Sequence, residues 1–298
     1  KKCISLSNKT NSKFMKVGIF IVGAAKTGTT SLHYYLNEHP EILMSSEKEP
    51  DYFSDKEILD QGLYYGQPRI DSLIKYNNLF FKRDKEKFLG ESSVSYLFYP
   101  EVSERIKEYN PESKIIIMLR DPIDRAFSHY LMDYRLGLTS KSFEEEFKNQ
   151  ESLNFQQHFL LGNYYNQVKK YLEVFETENV HIIWYSDFKQ NTKKELQKVI
   201  EFIGLNTDFK LDFNKVYNSF SMPKNNIIRK IYSVVWIRKI LTFIFSKKLV
   251  NLIKSILFNK GRKPKLSEEI REVLFSYYKS DIEDLEQLLS VNLSRWKK

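Results

Sequence analysis

Near the start of the chain, the β-branched and aromatic run from Lys16 to Val22 ends at Gly23, and a helical repeat begins a few residues later. Val17, Ile19, Phe20, Ile21 and Val22 leave no polar face, which is the pattern of a strand buried on both sides. From Thr30 to Glu38, Leu32, Tyr35 and Leu36 recur at helical spacing, and His39-Pro40 ends the run because a proline disfavours a helical residue before it. The connection is Gly23-Ala-Ala-Lys-Thr-Gly-Thr-Thr30. Two glycines with four residues between them, then two threonines at a helix N-terminus, make a cradle of backbone N–H groups and hydroxyls suited to an anion.

The same alternation continues. Ile115 to Leu119 reads as a second buried strand, preceded by a helix that ends before Pro111. Asp121 is placed as the N-cap and Pro122 as the first residue of a helix that runs to about Leu136 and stops at Gly137. Val180 to Tyr185 reads as a third strand. The helix after it begins at Thr192, with Thr192 and Glu195 as a capping box and Gly204 as its stop. Leu266 to Leu289 is amphipathic, with a break expected near Ser280. Strands alternating with helices predict an α/β fold: a P-loop-like central parallel sheet with helices on both faces. The 298 residues are expected to form one domain. Its parts are a core over about 16–220, a basic and apolar helical segment over 222–259, and a loop with C-terminal helices over 260–298.

The formal net charge of +9 points to an anionic partner, and nucleic acid, an acidic membrane, a phosphorylated cofactor and a sulfated sugar all fit it. The excess is local, since no Asp or Glu occurs between Met222 and Lys265. Cys3 is the only cysteine, so no intrachain disulfide forms, and a reducing, cytoplasmic setting is expected. Residues 1–16 have neither the pattern of a signal peptide nor that of a membrane anchor. The five histidines show no ligand spacing, and no metal site is expected.

A nucleotide triphosphatase loop would carry lysine directly after its second glycine. Here that position is Thr29, and Lys26 lies inside the loop. Further segments follow in order: Ser46-Glu-Lys-Glu-Pro-Asp-Tyr-Phe53, Gly90-Glu-Ser-Ser-Val-Ser-Tyr96, Leu119-Arg-Asp-Pro-Ile-Asp-Arg-Ala-Phe-Ser-His-Tyr130, Gly162-Asn-Tyr164 and Asn259-Lys-Gly-Arg-Lys263. Together they resemble the sulfotransferases that use 3′-phosphoadenosine 5′-phosphosulfate, in particular the heparan-sulfate-type branch and its bacterial relatives.

The resemblance implies an enzyme that moves a sulfuryl group from that donor to an acceptor hydroxyl, of a carbohydrate, a glycolipid or a small metabolite, by in-line displacement. It implies that Lys26 neutralises charge on the bridging oxygen and that Thr27, Gly28, Thr29 and Thr30 hold the 5′-phosphate. Arg120 and Ser128 would grip the 3′-phosphate, and Lys260, Gly261 and Arg262 would fold over the donor. Glu49 is the matching general base, with Glu47 on a charged surface turn. Glu91 is read three ways: as orienting Lys26, as orienting the acceptor, or as pairing with a structural base. Arg125 is expected on a solvated face, and Tyr164 in the core.

Two other readings stay open at this point. One is a small-molecule kinase, which would need magnesium. The other is a non-catalytic binder of polyanions or anionic membranes. Ile227 to Phe258 feeds the second, because Lys and Arg interrupt its apolar residues without any carboxylate. That segment is expected either to roof the acceptor cleft or to lie on an anionic membrane surface. Nucleic acid is not expected as a partner.

Overall fold

The structure, a computed structural model, describes residues 15–62, 65, 69–80, 86–208, 222–225, 228, 230, 232, 234, 249, 256–259 and 263–297. The expected segment Ile227 to Phe258 and the Lys260–Arg262 loop thus lie almost wholly outside the described residues. Five strands form one parallel sheet: β1 (Val17–Gly23), β2 (Ile42–Met44), β3 (Phe88–Ser92), β4 (Lys114–Leu119) and β5 (Val180–Trp184). Their order is β2-β3-β1-β4-β5, with β1 in the middle. A two-stranded antiparallel pair, β6 (Met222–Pro223) with β7 (Phe258–Asn259), stands apart.

The helices whose bounds fall among the described residues are α1 (Thr29–Asn37), α2 (Asp55–Asp60), α3 (Leu73–Asn77), α4 (Pro100–Tyr109), α5 (Pro122–Leu136), α6 (Phe143–Lys148) and α7 (Leu153–His158). They continue with α8 (Tyr164–Val174), α9 (Tyr185–Gln190), α10 (Thr192–Ile203) and α11 (Glu268–Leu289).

Side chains alternate across a strand, so a wholly apolar strand feeds two cores at once. Phe20, Val22, Ile115, Ile117 and Leu119 pack on one face with residues of α4, α5, α8 and α11. Ile19, Ile21, Ile116, Met118 and Ile183 pack on the other with α1 and α10. From β1 the chain runs out to β2 and back to β3, then crosses to β4 on the opposite side. The crevice beyond the carboxyl ends of β1 and β4 is therefore the switch point of the sheet, where ligands bind in open α/β folds. The glycine loop leaves β1 there, and Arg120 leaves β4 there.

Asp121 caps α5 as expected, accepting from the backbone N–H groups of Ile123 at 2.9 Å and Asp124 at 3.1 Å, with Pro122 at the first helical position. Three expectations are corrected. Helix α11 runs unbroken through Ser280, because Ile270, Leu274, Tyr278, Ile282 and Leu285 keep one buried stripe along its length. The cap of α10 is Asn191, which accepts from Lys194 N–H at 3.1 Å. The Thr192 hydroxyl instead donates back to Phe188 O at 2.8 Å, and Glu195 accepts from Lys198 at 2.7 Å. Strand β5 ends at Trp184, and Tyr185 opens the short helix α9 with no intervening loop. Among the described residues no helix is long and apolar enough to cross a membrane.

Candidate active site

The loop after β1 is held by its own backbone. Ala24 N–H donates to Met118 O at 2.8 Å, and the Thr27 hydroxyl donates to Ala24 O at 2.6 Å. Gly28 stands at the N-terminus of α1 with φ of 96°, and a Cβ there would lie 3.4 Å from the Tyr185 ring. A glycine meets both demands, a left-handed backbone and close approach. Lys26 is also left-handed, with φ of 69°.

A cavity of about 870 Å³ opens at this crevice. Of the residues singled out in the sequence, Lys26, Gly28, Thr29, Thr30, Glu49, Arg120 and Ser128 line it together. Thr27 does not. Its side chain is fully buried and its hydroxyl is engaged within the loop, which leaves its backbone N–H as the group it can offer. Lys260, Gly261 and Arg262 lie outside the described residues. Lys263, next in the chain, sits 5.2 Å from the Phe127 ring centre, and burial together with the Arg120 guanidinium pulls it down to about 8.

Arg120 stacks on the Tyr185 ring at 4.7 Å and donates from Nη1 to Lys26 O at 3.2 Å. Its Nε is buried and has no hydrogen-bond partner among the described residues. A buried donor without a partner costs free energy, so this one suits an acceptor brought in by a ligand. Lys26 Nζ lies 3.0 Å from Met132 Sδ. Burial and the Arg135 cation pull Lys26 down to about 8, against the Asp133 and Glu49 carboxylates, which hold it up.

On the facing side, Glu49 accepts an ion-paired hydrogen bond from Lys48. Glu47 is exposed and outside the cavity lining. Asp51, a cavity residue that sequence reasoning did not single out, accepts from the Ser95 hydroxyl at 2.5 Å. Burial, reinforced by Glu49, pushes Asp51 up to about 7. Among the described residues, four other than glycine have positive φ: Lys26, Glu49, Asp51 and Ser290. Three of these four line the one cavity. Such conformations cost on the order of 1–3 kcal/mol each and persist where surrounding structure imposes them, often at functional sites.

Two sequence readings are overturned. Arg125 is not on a solvated face; it is fully buried. Its Nη2 donates to His158 O and, at 3.2 Å, to Gln157 O, and its Nη1 donates to His129 Nδ1 at 3.2 Å. With Nδ1 as acceptor, His129 Nε2–H faces Tyr65 Oη at 2.7 Å, and Tyr65 donates to Asp133 Oδ1 at 3.0 Å. Burial and the Arg125 charge hold His129 well below its ordinary value, so it stays neutral. His158 Nε2 closes the group on Asp133 Oδ2 at 2.8 Å. Arg125, His129 and Asp133 follow one another at four-residue spacing on α5, a signal that was present in the sequence.

Glu91, the second, contacts neither Lys26 nor a structural base among the described residues. Its buried carboxyl accepts from Tyr76 Oη at 2.6 Å, Tyr96 Oη at 3.0 Å and Ser93 Oγ at 2.9 Å. Tyr164 is fully buried, as expected. Among the described residues no group of three or more His, Cys, Asp or Glu is placed to hold a metal ion.

The sulfotransferase domain family matches residues 17–286. Carbohydrate sulfotransferase 15 of Mus musculus is 25% identical over 244 residues, which cover 62% of this chain and 43% of that protein. Membrane-associated sulfotransferase kil1 of Dictyostelium discoideum is 33% identical over 110 residues, 37% of this chain and 21% of that protein. The chain thus spans less than half the length of these relatives. Among solved structures, a sulfotransferase from Alicyclobacillus acidocaldarius superposes with a TM-score of 0.70 at 29% identity, covering 95% of this chain and 99% of that one. The sulfotransferase domain from the curacin biosynthetic pathway shares the fold, with a TM-score of 0.51 at 17% identity over 94% of this chain and 99% of that one.

Proposed function

The chain belongs to the sulfotransferase domain family, and from that premise we propose that it transfers a sulfuryl group from 3′-phosphoadenosine 5′-phosphosulfate to an acceptor hydroxyl. The observation that carries this reading is the meeting of Lys26, the α1 N-terminus, Arg120, Ser128 and Glu49 on one cavity. The residues fit a donor with two anionic ends. One end meets the amides and hydroxyls at the start of α1, where the helix dipole favours negative charge. The other meets Arg120, whose buried Nε has no partner among the described residues.

When bound, the donor supplies the sulfuryl group and a bisphosphate leaving group. The chain's own residues do the rest. Thr29 and Thr30, with the backbone of Thr27 and Gly28, hold the 5′-phosphate. Arg120 and Ser128 take the 3′-phosphate, where a guanidinium makes paired, charge-assisted contacts. Lys26 places a poorly hydrated cation beside the bridging oxygen, so developing negative charge is met without solvent rearrangement. Glu49 takes the acceptor proton, because an alcohol is a weak nucleophile until its proton is being removed. Its place in the cavity, with Glu47 outside, favours Glu49 over its neighbour.

Transfer of labelled sulfate from the donor to a panel comprising an oligosaccharide, a glycolipid and a phenol tests the activity and finds the acceptor. Thermal shift with adenosine 3′,5′-bisphosphate, with ATP and magnesium, and with heparin separates the readings. Stabilisation by the bisphosphate alone supports the proposal, and at a hundredfold excess over Kd it amounts to about 2.7 kcal/mol. Stabilisation by ATP with magnesium alone would establish the kinase reading instead.

A further inference from the structure

The loop that carries Glu49 is held to the end of β3 at successive points. Glu49 N–H donates to Ser92 O at 2.8 Å. Two residues on, Asp51 N–H donates to Ser93 Oγ at 3.1 Å, and Phe53 N–H donates to Tyr96 Oη at 3.2 Å. Both of these hydroxyls, having accepted a loop amide, pass their own protons to the same carboxyl. Ser93 donates to Glu91 Oε2 at 2.9 Å and Tyr96 to Glu91 Oε1 at 3.0 Å. A third donor, Tyr76 Oη, meets Oε1 at 2.6 Å, and the Tyr76 ring stacks on Tyr52 of the same loop at 4.6 Å.

A hydroxyl left to itself rotates. One whose proton is committed to a carboxylate presents its lone pair in a fixed direction, and such chains strengthen one another in a buried setting. Glu91 itself is fully buried and is not among the residues lining the cavity, so it touches neither donor nor acceptor.

We propose that Glu91 is a positioning residue for the proton-accepting step: through Ser93 and Tyr96 it fixes the backbone of residues 49–53 and thereby the aim of the Glu49 carboxylate. This rests on the reading of Glu49 as the base. The left-handed backbone at Glu49 and Asp51, with φ of 62° and 52°, is what the anchoring has to hold. Ser93, Tyr96 and Tyr76 converge on Glu91, and the first two reach loop amides 42 and 43 positions earlier in the chain, so the loop geometry is over-determined, as a strained functional turn requires.

The test uses the full chain with Glu91→Gln, Ser93→Ala, Tyr96→Phe, the Glu91→Gln/Ser93→Ala pair and Glu49→Gln. Turnover is read both with the acceptor found in the panel and with water, as release of labelled sulfate from the donor. Ser93→Ala and Glu91→Gln are expected to lower turnover at least about tenfold, since a displacement on the order of 1 Å costs about 10²-fold. The Kd for adenosine 3′,5′-bisphosphate stays within about twofold, and the double variant loses no more than the worse single one, because the two act through one chain of bonds. Amide exchange speeds up in peptides covering 49–54 and stays unchanged in those covering 17–23.

Wild-type turnover in folded Ser93→Ala or Tyr96→Phe, or additive losses in the pair, would overturn the proposal even if Glu91→Gln fails to fold. If Glu49→Gln is inactive while the hydroxyl variants are normal, the base stands and the positioning role falls. If Glu49→Gln keeps full turnover, both fall together.

Discussion

Lys26 is the residue whose proposed role makes the sharpest demand on pH. It must be charged to neutralise the bridging oxygen, yet burial and the Arg135 cation pull it down from 10.5 to about 8. At pH 7 roughly nine-tenths of the molecules carry the charge, and at pH 9 about one-tenth do. Because kcat/KM reports the free enzyme, it should fall about tenfold per pH unit above 8. Stability runs the other way. Between about 8 and 10.5 the unfolded chain holds the proton that the folded one has lost, so this group's contribution rises with pH across that window. The gain is on the order of 3 kcal/mol, taking about 1.4 kcal/mol per unit. Lys26→Met should remove both trends and, at pH 7, about 10²–10³ of the rate. Lys263 also lies near 8, so Lys263→Met is the control and must keep the alkaline limb. The assay is kcat/KM for the donor from pH 6 to 10, beside melting temperature over the same range. A flat kcat/KM profile from pH 7 to 10 refutes the reasoning.

Other outcomes follow from the same geometry. Arg120→Ala should weaken adenosine 3′,5′-bisphosphate by about 1.5–3 kcal/mol and adenosine 5′-phosphate far less; equal losses in calorimetry would remove Arg120 from the 3′-phosphate. Glu49→Gln should cost about 10²–10⁴ in turnover with the bisphosphate Kd unchanged, whereas Glu47→Gln should be near wild type; the reverse pattern moves the base by two residues. Arg125→Met leaves the Gln157 and His158 carbonyls without their cation and should cost at least about 2 kcal/mol, seen as a lower midpoint in urea. An unchanged midpoint would mean that the buried guanidinium contributes nothing net.

What could be read from the sequence divides along physical lines. Strands β1 and β4 are apolar on both faces and end in glycine or a capped helix, so their positions and the crevice between them were legible. Strand β2 is three residues long, too short for any periodicity, and β3 carries Gly90, Glu91 and Ser92 where a buried strand is expected to be apolar. Arg125 reads as solvated because two of its partners are main-chain carbonyls on another element, which leave no trace in residue type, and only His129 four residues on gives a sign in the sequence. Asp51 stands in the segment from Ser46 to Phe53 with nothing in its residue type to set it apart. Its distinction is a left-handed backbone and a Ser95 partner far along the chain, both of which exist only after folding. Tyr185 reads as the end of a strand, and only the pairing of β5 with β4, Leu119 beside Trp184, brings its ring to Arg120.

The N-terminus of α8 has a bearing on how the chain is made. Its first amides, on Tyr164 and Tyr165, are bonded by the Asp281 carboxylate of α11 at 2.7 and 3.0 Å, across a separation of 117 residues for the first of them. Nearby, Tyr278 donates to Phe159 O at 2.8 Å. A ribosome adding about 5–20 residues per second needs roughly 6–23 s to go from Tyr164 to Asp281. Once β5 has been made within that interval the sheet can assemble, but the start of α8 still has no carboxylate over it and the apolar groove for α11 is open. The nascent protein can therefore reach a stage with a formed crevice and an exposed apolar flank before α11 has been made.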